Sequence, residues 1–367
     1  MTHRAAPIRV LVVEPSRSVG TPAFSALLTH SDMEVVGTVS AAAKAMEVLQ
    51  ARNPQVVVID SSLPGKSGFE LTRQIMQSHP LPVVMVSEVG DPDQITATFA
   101  ALEAGAVALV ARPEPSAGAM QDEQRRRFVQ MIRAMAEIKV VRRWSKDRLA
   151  QLESLGQSTQ RSMEWAAPEI RIVAIGASTG GPLVLQSILS RLPEDFAAPI
   201  LIVQHIAPGF VRGLANWLRT STKLAVHIPD HTEPVFPGRV YLAPDASHME
   251  IGGDGRIALS PVAQRNGSGP SVSRLFASVA ARYGKHAIGV LLTGMGKDGA
   301  AELGLMKQSG ALTIVQDRQS SVVYGMPGEA VSLGAACFEL TPEDIAVALR
   351  RAVETKWREP IGTGAKP

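Results

Sequence analysis

One cysteine, three tyrosines and four tryptophans in 367 residues leave little material for disulfide frameworks, thiolate metal clusters or aromatic cores. Cys337 has no second thiol to pair with, and one thiol cannot build a zinc cluster, so a reducing compartment is expected. With aromatic residues at only 4%, Leu, Val, Ile, Met and Ala must fill the cores. Long apolar runs are missing too. No stretch reaches the roughly eighteen residues that a membrane span needs, and Ile8–Val13 is too short for a signal peptide, so the chain is expected to be soluble and cytoplasmic, without membrane insertion. Charge of one sign is also scarce: 37 Lys and Arg stand against 34 Asp and Glu. Much of the basic excess is local, with nine basic residues against four acids between Gln121 and Arg148. Phe128, Met131, Ile132 and Met135 recur there at helical spacing, which predicts an amphipathic helix with a solvated basic face and no nucleic-acid partner.

What the chain has in quantity is apolar residues, 45% of the total, gathered into short runs. Their number and the chain length predict two domains of ordinary size. Strand-like runs at 8–13, 33–39, 55–60, 82–87 and 107–111 alternate with helical stretches. A second alternation has strands at 171–176, 199–205, 238–244, 286–294 and 311–316. Strands separated by helices imply right-handed crossovers and parallel sheets covered on both faces, so the fold class is α/β with two doubly wound parallel-sheet domains. The expected boundaries are a first domain at 1–143, a polar linker at 144–168, a second domain at 169–355 and a flexible tail at 356–367.

Between the strand ending at Gly176 and the apolar stripe of Leu183, Leu185, Ile188, Leu189 and Leu192 lies Gly176-Ala177-Ser178-Thr179-Gly180-Gly181-Pro182. Glycines permit a sharp strand-to-helix turn, and amides at a helix start stabilise developing negative charge, so Ser178 is presented as a nucleophile. Thr179 and Gly180 in this turn, and Met295 in a later loop, are the oxyanion and positioning candidates. A dinucleotide loop is the competing reading, but it needs an acid at the end of the next strand, which instead closes in Gln204-His205. A serine hydroxyl needs a base, and that base needs an orienting carboxylate. His205 and Asp298 both follow predicted strands, and the carboxyl ends of parallel strands share one edge. Asp298 could instead cap the helix that begins after it. His248 and His286 stay open as alternative bases, and Pro229 argues against a metal site formed by His227 and His231.

GASTGGP (176–182), QHIAPGF (204–210), LAPDASHMEI (242–251), LTGMGKDGA (292–300) and VYGMP (323–327) together resemble the chemotaxis response regulator protein-glutamate methylesterases. The resemblance covers nearly the whole chain. It implies Ser178 as nucleophile, His205 as general base and Asp298 as orienting acid, with no cofactor for catalysis. The implied reaction converts glutamate methyl esters on methyl-accepting chemoreceptors to glutamate and methanol, with deamidation of receptor glutamines as a second activity. An esterase or amidase acting on another signalling protein is the alternative. A transcriptional regulator would need a small helix-turn-helix output, which the second half does not resemble. One departure lies at Asn266–Ser273, where the family usually carries a basic residue before the proline and an acid at the position of Ser273.

The first half resembles response-regulator receivers. Asp60, followed by SLPGKSGFEL (62–71), aligns with the phosphate acceptor, with a chemotaxis histidine kinase as the implied donor. Ser87 stands where a hydroxyl senses the phosphoryl group. Two positions depart from the pattern. The acidic pair that usually holds Mg²⁺ reads Glu14-Pro15, leaving Glu14 and Asp60 as a weak metal set, and the expected lysine is Arg112. Weakened phosphorylation control is therefore expected. The resemblance also implies that the receiver restrains the esterase by packing over the catalytic cleft. A fragment beginning near Pro168 is then expected to release methanol faster than the full chain, and equal rates would refute restraint.

Overall fold

The computed structural model describes residues 6–15, 32–64, 67–88, 99, 101–112, 119–138, 169–262 and 269–354. The linker expected at 144–168 and the tail expected at 356–367 lie outside them. The chain divides into two compact units, Met1–Trp165 with Ile206–Leu214, and Ala166–His205 with Ala215–Pro367.

In the first unit β1 (Ile8–Val13), β2 (Met33–Val39), β3 (Val56–Asp60), β4 (Val83–Ser87) and β5 (Ala108–Ala111) form one sheet in the order β2-β1-β3-β4-β5, with every pairing parallel. Helices α1 (Ala42–Arg52), α2 (Ser67–Ser78) and α3 (Ala119–Ala136) are described beside it. The central strands read as unbroken apolar runs, and every residue of β3 and β4 is buried, as a parallel sheet covered on both faces requires. Phe128, Ile132 and Met135 of α3 are buried at helical spacing. The apolar stripe of the basic segment is thus core.

The second unit carries a seven-stranded parallel sheet in the order β14-β13-β12-β6-β7-β9-β8. Five strands lie where the sequence puts them: β6 (Ile172–Ala177), β7 (Ile200–Gln204), β9 (Arg239–Leu242), β12 (Ala287–Leu291) and β13 (Leu312–Gln316). The edges β8 (Ala225–His227) and β14 (Phe338–Leu340) have three residues each, too few to show a period. An antiparallel hairpin of β10 (Ser247–Ile251) and β11 (Ile257–Pro261) is a further element missing from the sequence reading. Its helices are α4 (Gly181–Leu189), α5 (Val211–Ser221), α6 (Val272–Tyr283), α7 (Ala300–Gln308), α8 (Met326–Ser332) and α9 (Pro342–Glu354). From β6 the chain proceeds to β7 and β9 on one side, and later returns to β12 and β13 on the other. The order therefore reverses at β6, and the carboxyl ends of β6, β7 and β12 border the crevice that such a reversal opens.

Candidate active site

Ser178 follows the last residue of β6 at the carboxyl edge of the sheet. Ala177 pairs with Gln204 across β6 and β7, and the His205 N–H donates to the Ala177 carbonyl at 2.8 Å, so nucleophile and base candidates leave adjacent strand ends. On the other side Gly176 pairs with Leu291 of β12, and the Ser178 N–H donates to the Thr293 carbonyl at 3.0 Å. The buried Thr293 hydroxyl donates to the Thr179 carbonyl at 2.9 Å and accepts from the Val323 N–H at 2.9 Å, tying three loops together.

The turn needs its glycines. Gly180 has φ of 79°, a left-handed conformation costly for a residue with a Cβ, and a Cβ there would also lie 2.6 Å from Val322. Gly294 answers a different need: a Cβ on it would lie 2.6 Å from Ser178 Cβ and 2.4 Å from Met326 Sδ. The loop after β12 thus packs directly on the candidate nucleophile. Among the described residues, the N–H groups of Gly180 and Met295 donate to no backbone or side-chain acceptor. One lies in the serine turn and the other next to Gly294, so both are suited to bind negative charge on a substrate oxygen.

His205 Nε2 stands 2.9 Å from Asp298 Oδ2, with both side chains only 28% exposed. The carboxylate fixes the proton on Nε2 in the neutral ring and leaves Nδ1 as the basic nitrogen. Among the described residues Ser178 Oγ makes no hydrogen bond, to His205 or to any other group. The structure brings serine and histidine to neighbouring strand ends without closing that contact, which in such sites tightens as substrate binds.

Asp298 caps a helix, but not the one that follows it. Its Oδ2 accepts the Val272 N–H at 2.8 Å, and its Oδ1 accepts the Ser273 N–H at 3.0 Å and the Ser271 hydroxyl at 3.1 Å. The carboxylate therefore sits at the amino end of α6, where free amides and the helix dipole favour negative charge. Burial pushes its carboxyl up, but the hydrogen bonds from His205 and Ser273 and the charge of His205 outweigh it and hold the group well below the usual carboxylate range. Ser273, where an acid was expected, is spent inside the protein. Its hydroxyl accepts the Gly299 N–H at 2.9 Å and donates to Glu302 at 2.5 Å. Residues 263–268, which hold the start of that departure, lie outside the described residues.

The alternative bases are corrected. His286 immediately precedes β12, at the amino edge of the sheet, with Nδ1 on the Glu169 carbonyl at 2.9 Å. His248 Nδ1 accepts the Ser271 N–H at 3.1 Å, so it braces the loop that holds Asp298 and its lone pair is engaged. Burial and the Arg274 charge push its imidazole down. His227 bonds Glu233 at 2.7 Å while His231 accepts the Leu259 N–H at 2.9 Å, so the two do not converge on one ligand position.

A protein-family model described as CheB methylesterase matches residues 173–349, and one described as response regulator receiver domain matches residues 10–121. A protein-glutamate methylesterase/protein-glutamine glutaminase from Geobacter metallireducens is 44% identical, over 93% of this chain and 98% of its own length. The chain belongs to the CheB methylesterase family. A namesake from Nitrosospira multiformis is 42% identical over 97% of this chain and 99% of its own length. A solved CheB methylesterase catalytic domain from Thermotoga maritima, 36% identical, aligns over 50% of this chain and 99% of that one at a TM-score of 0.48. A helix-turn-helix output is excluded by the family match over 173–349.

The receiver of this CheB relative has its acceptor candidate already engaged. Asp60 closes β3 and is fully buried; its Oδ1 accepts the Ser62 N–H at 2.9 Å and the Ser62 hydroxyl at 2.7 Å, while Arg112 forms an ion pair with its Oδ2. Glu14, also buried, follows Val13, which pairs with Ile59, so continuing that register sets it level with Asp60 on the neighbouring strand. Ser87, buried at the end of β4, points its hydroxyl at the Glu88 carbonyl at 3.3 Å. Two carboxylates, one of them neutralised by a guanidinium and saturated on its other oxygen, do not fit Mg²⁺, which demands several hard oxygen ligands. No cluster of three or more His, Cys, Asp or Glu suited to a metal occurs among the described residues.

Two features that position this site carry weak or no sequence signal. The engagement of Asp298 by α6 could have been suspected from Pro270-Ser271, a helix-start signal, but not its spatial partner. Gln204 gives no signal beyond its place before His205.

Proposed function

We propose that this chain is a protein-glutamate methylesterase that hydrolyses glutamate methyl esters on chemoreceptors, with glutamine deamidation through the same intermediate. The observation that carries the reading is the placement of Ser178, His205 and Asp298 on the carboxyl ends of β6, β7 and β12, with His205 bonded to a carboxylate held ionised by α6. In this reading His205 Nδ1 takes the proton of Ser178 Oγ as the hydroxyl attacks the ester carbonyl, and Asp298 stabilises the imidazolium. The N–H groups of Gly180 and Met295 take the oxyanion, with Thr179 shaping the turn. The imidazolium protonates the departing methoxide, and water, activated by the same histidine, releases glutamate. A glutamine side chain enters the same acyl-enzyme with loss of ammonia. Among the described residues no helix is long and apolar enough to cross a membrane, and receptor methylation sites on cytoplasmic helices would place the enzyme in the cytoplasm. The test is methanol release from methylated chemoreceptor membranes; its absence with folded protein would overturn the substrate assignment. An esterase on another signalling protein is not favoured, because relatives 44% and 42% identical over nearly their whole length are both named protein-glutamate methylesterase/protein-glutamine glutaminase.

The receiver, in this reading, works without efficient phosphorylation. Arg112 supplies the positive charge that Mg²⁺ would otherwise bring to Asp60, so a phosphodonor kinase meets a carboxylate that is already paired. Acetyl phosphate with Mg²⁺ is expected to change the esterase rate by less than about twofold, and Asp60→Asn to behave like the parent. Mg²⁺-dependent activation that Asp60→Asn abolishes would overturn this.

A further inference from the structure

We infer that Gln204 is a positioning residue for the reaction: its single carboxamide fixes the main chain of the nucleophile and of the base at once. The proposal rests on the assignment of Ser178 and His205. The Gln204 side chain is buried, with 3% of the residue exposed, and Nε2 donates one proton to the Ser178 carbonyl at 2.7 Å and the other to the His205 carbonyl at 2.9 Å. Two acceptors on one side determine the orientation of the amide, since the flipped form would set oxygen against oxygen.

The opposite end of the same group is spent at a loss. Oε1 is buried and has no hydrogen-bond partner, and it lies over Gly181, where a Cβ would come within 2.1 Å of it. A buried acceptor without a donor is unfavourable, and an apolar side chain of similar shape would remove that penalty. Departures of this kind from local consistency concentrate where function demands them. The demand here is geometric: the turns that carry Ser178 and His205 share one tether, so the distance between hydroxyl and imidazole is set by a rigid planar group. Gly181 belongs to the same device, because only a residue without Cβ leaves room for Oε1.

The experiment measures kcat and KM for methanol release from methylated receptor membranes with the full chain, alongside circular dichroism. Gln204→Met is expected to fold, to keep KM within about twofold, and to lower kcat by about 10- to 100-fold, the scale of a misplacement near 1 Å. Gln204→Glu keeps the shape, and its carboxyl, facing two carbonyls in a buried site, donates only while protonated. It should therefore show an alkaline loss of kcat that the parent and Gln204→Met lack. Gly181→Ala, which displaces Oε1, should reproduce the loss in kcat if Gln204→Met fails to fold. Near-parental kcat in folded Gln204→Met or Gly181→Ala overturns the proposal, as does a Gln204→Glu profile parallel to the parent. Ser178→Ala is run in parallel: if it is inactive while Gln204→Met is normal, positioning fails and the triad stands. If Ser178→Ala stays active, the triad reading fails and the proposal with it.

Discussion

Ser178→Ala and His205→Ala are each expected to lower methanol release by about 10⁴- to 10⁶-fold, and the double variant to lose little more, because nucleophile and base act as one unit. The geometry behind this is the pair of neighbouring strand ends and the 2.9 Å contact of His205 with Asp298. Asp298→Asn should retain on the order of 10²-fold more activity than Ser178→Ala, since the base survives without its counter-charge. Asparagine must also set an NH₂ either against the His205 nitrogen and the Val272 amide or against the Ser273 amide and the Ser271 hydroxyl, so a loss of about 1–3 kcal/mol in stability accompanies it. The sign of the pH dependence follows from Asp298. Its folded-state carboxyl is depressed, so its stabilisation is complete above the ordinary carboxylate range and is lost only as pH falls toward the folded value. Through the range where imidazoles titrate, Asp298 stays ionised and does not set an acid limb in kcat/KM. Near-parental turnover by folded Ser178→Ala, measured as methanol per enzyme, would end the serine-esterase reading.

Gly294→Ala is expected to have the next largest effect, though Gly294 takes no part in the chemistry. An added methyl meets Ser178 Cβ at 2.6 Å and Met326 Sδ at 2.4 Å, and only the methionine can yield. The Gly294 carbonyl also accepts the N–H groups of Gly325 and Met326, so the loop cannot retreat without breaking them. Displacement of the serine turn is the remaining relief. We expect a loss of about 10²-fold in kcat together with about 1–3 kcal/mol of overpacking strain, read from single-turnover rates and denaturant midpoints. Parental kcat in the alanine variant would show that the loop has slack.

Both parallel sheets were legible as apolar runs separated by helical stretches, and the catalytic edge followed from where the runs end. Periodicity needs length, so the three-residue strands β8 and β14 escaped it. The hairpin β10–β11 carried a turn signal in Gly252-Gly253-Asp254-Gly255, which the surrounding motif obscured. Ser178, His205 and Asp298 were legible as residue types at strand ends. Their supports were not, because Val272 and Ser273 hold Asp298 with amides that every residue but proline possesses. The pairing of Arg112 with Asp60 was legible as a substitution, but the engagement of both carboxylate oxygens depends on Ser62, an ordinary turn serine.

That reliance on main-chain donors bears on how such an enzyme can change. Of the four groups bonded to Asp298, two are backbone amides, whose chemistry is the same whatever side chains residues 272 and 273 carry. Only proline is forbidden there. The side chains answer to other demands: Val272 is fully buried, and the Ser273 hydroxyl links Gly299 to Glu302. The charge that tunes the base is held by the helix itself, so its hold depends on where α6 begins more than on which side chains begin it.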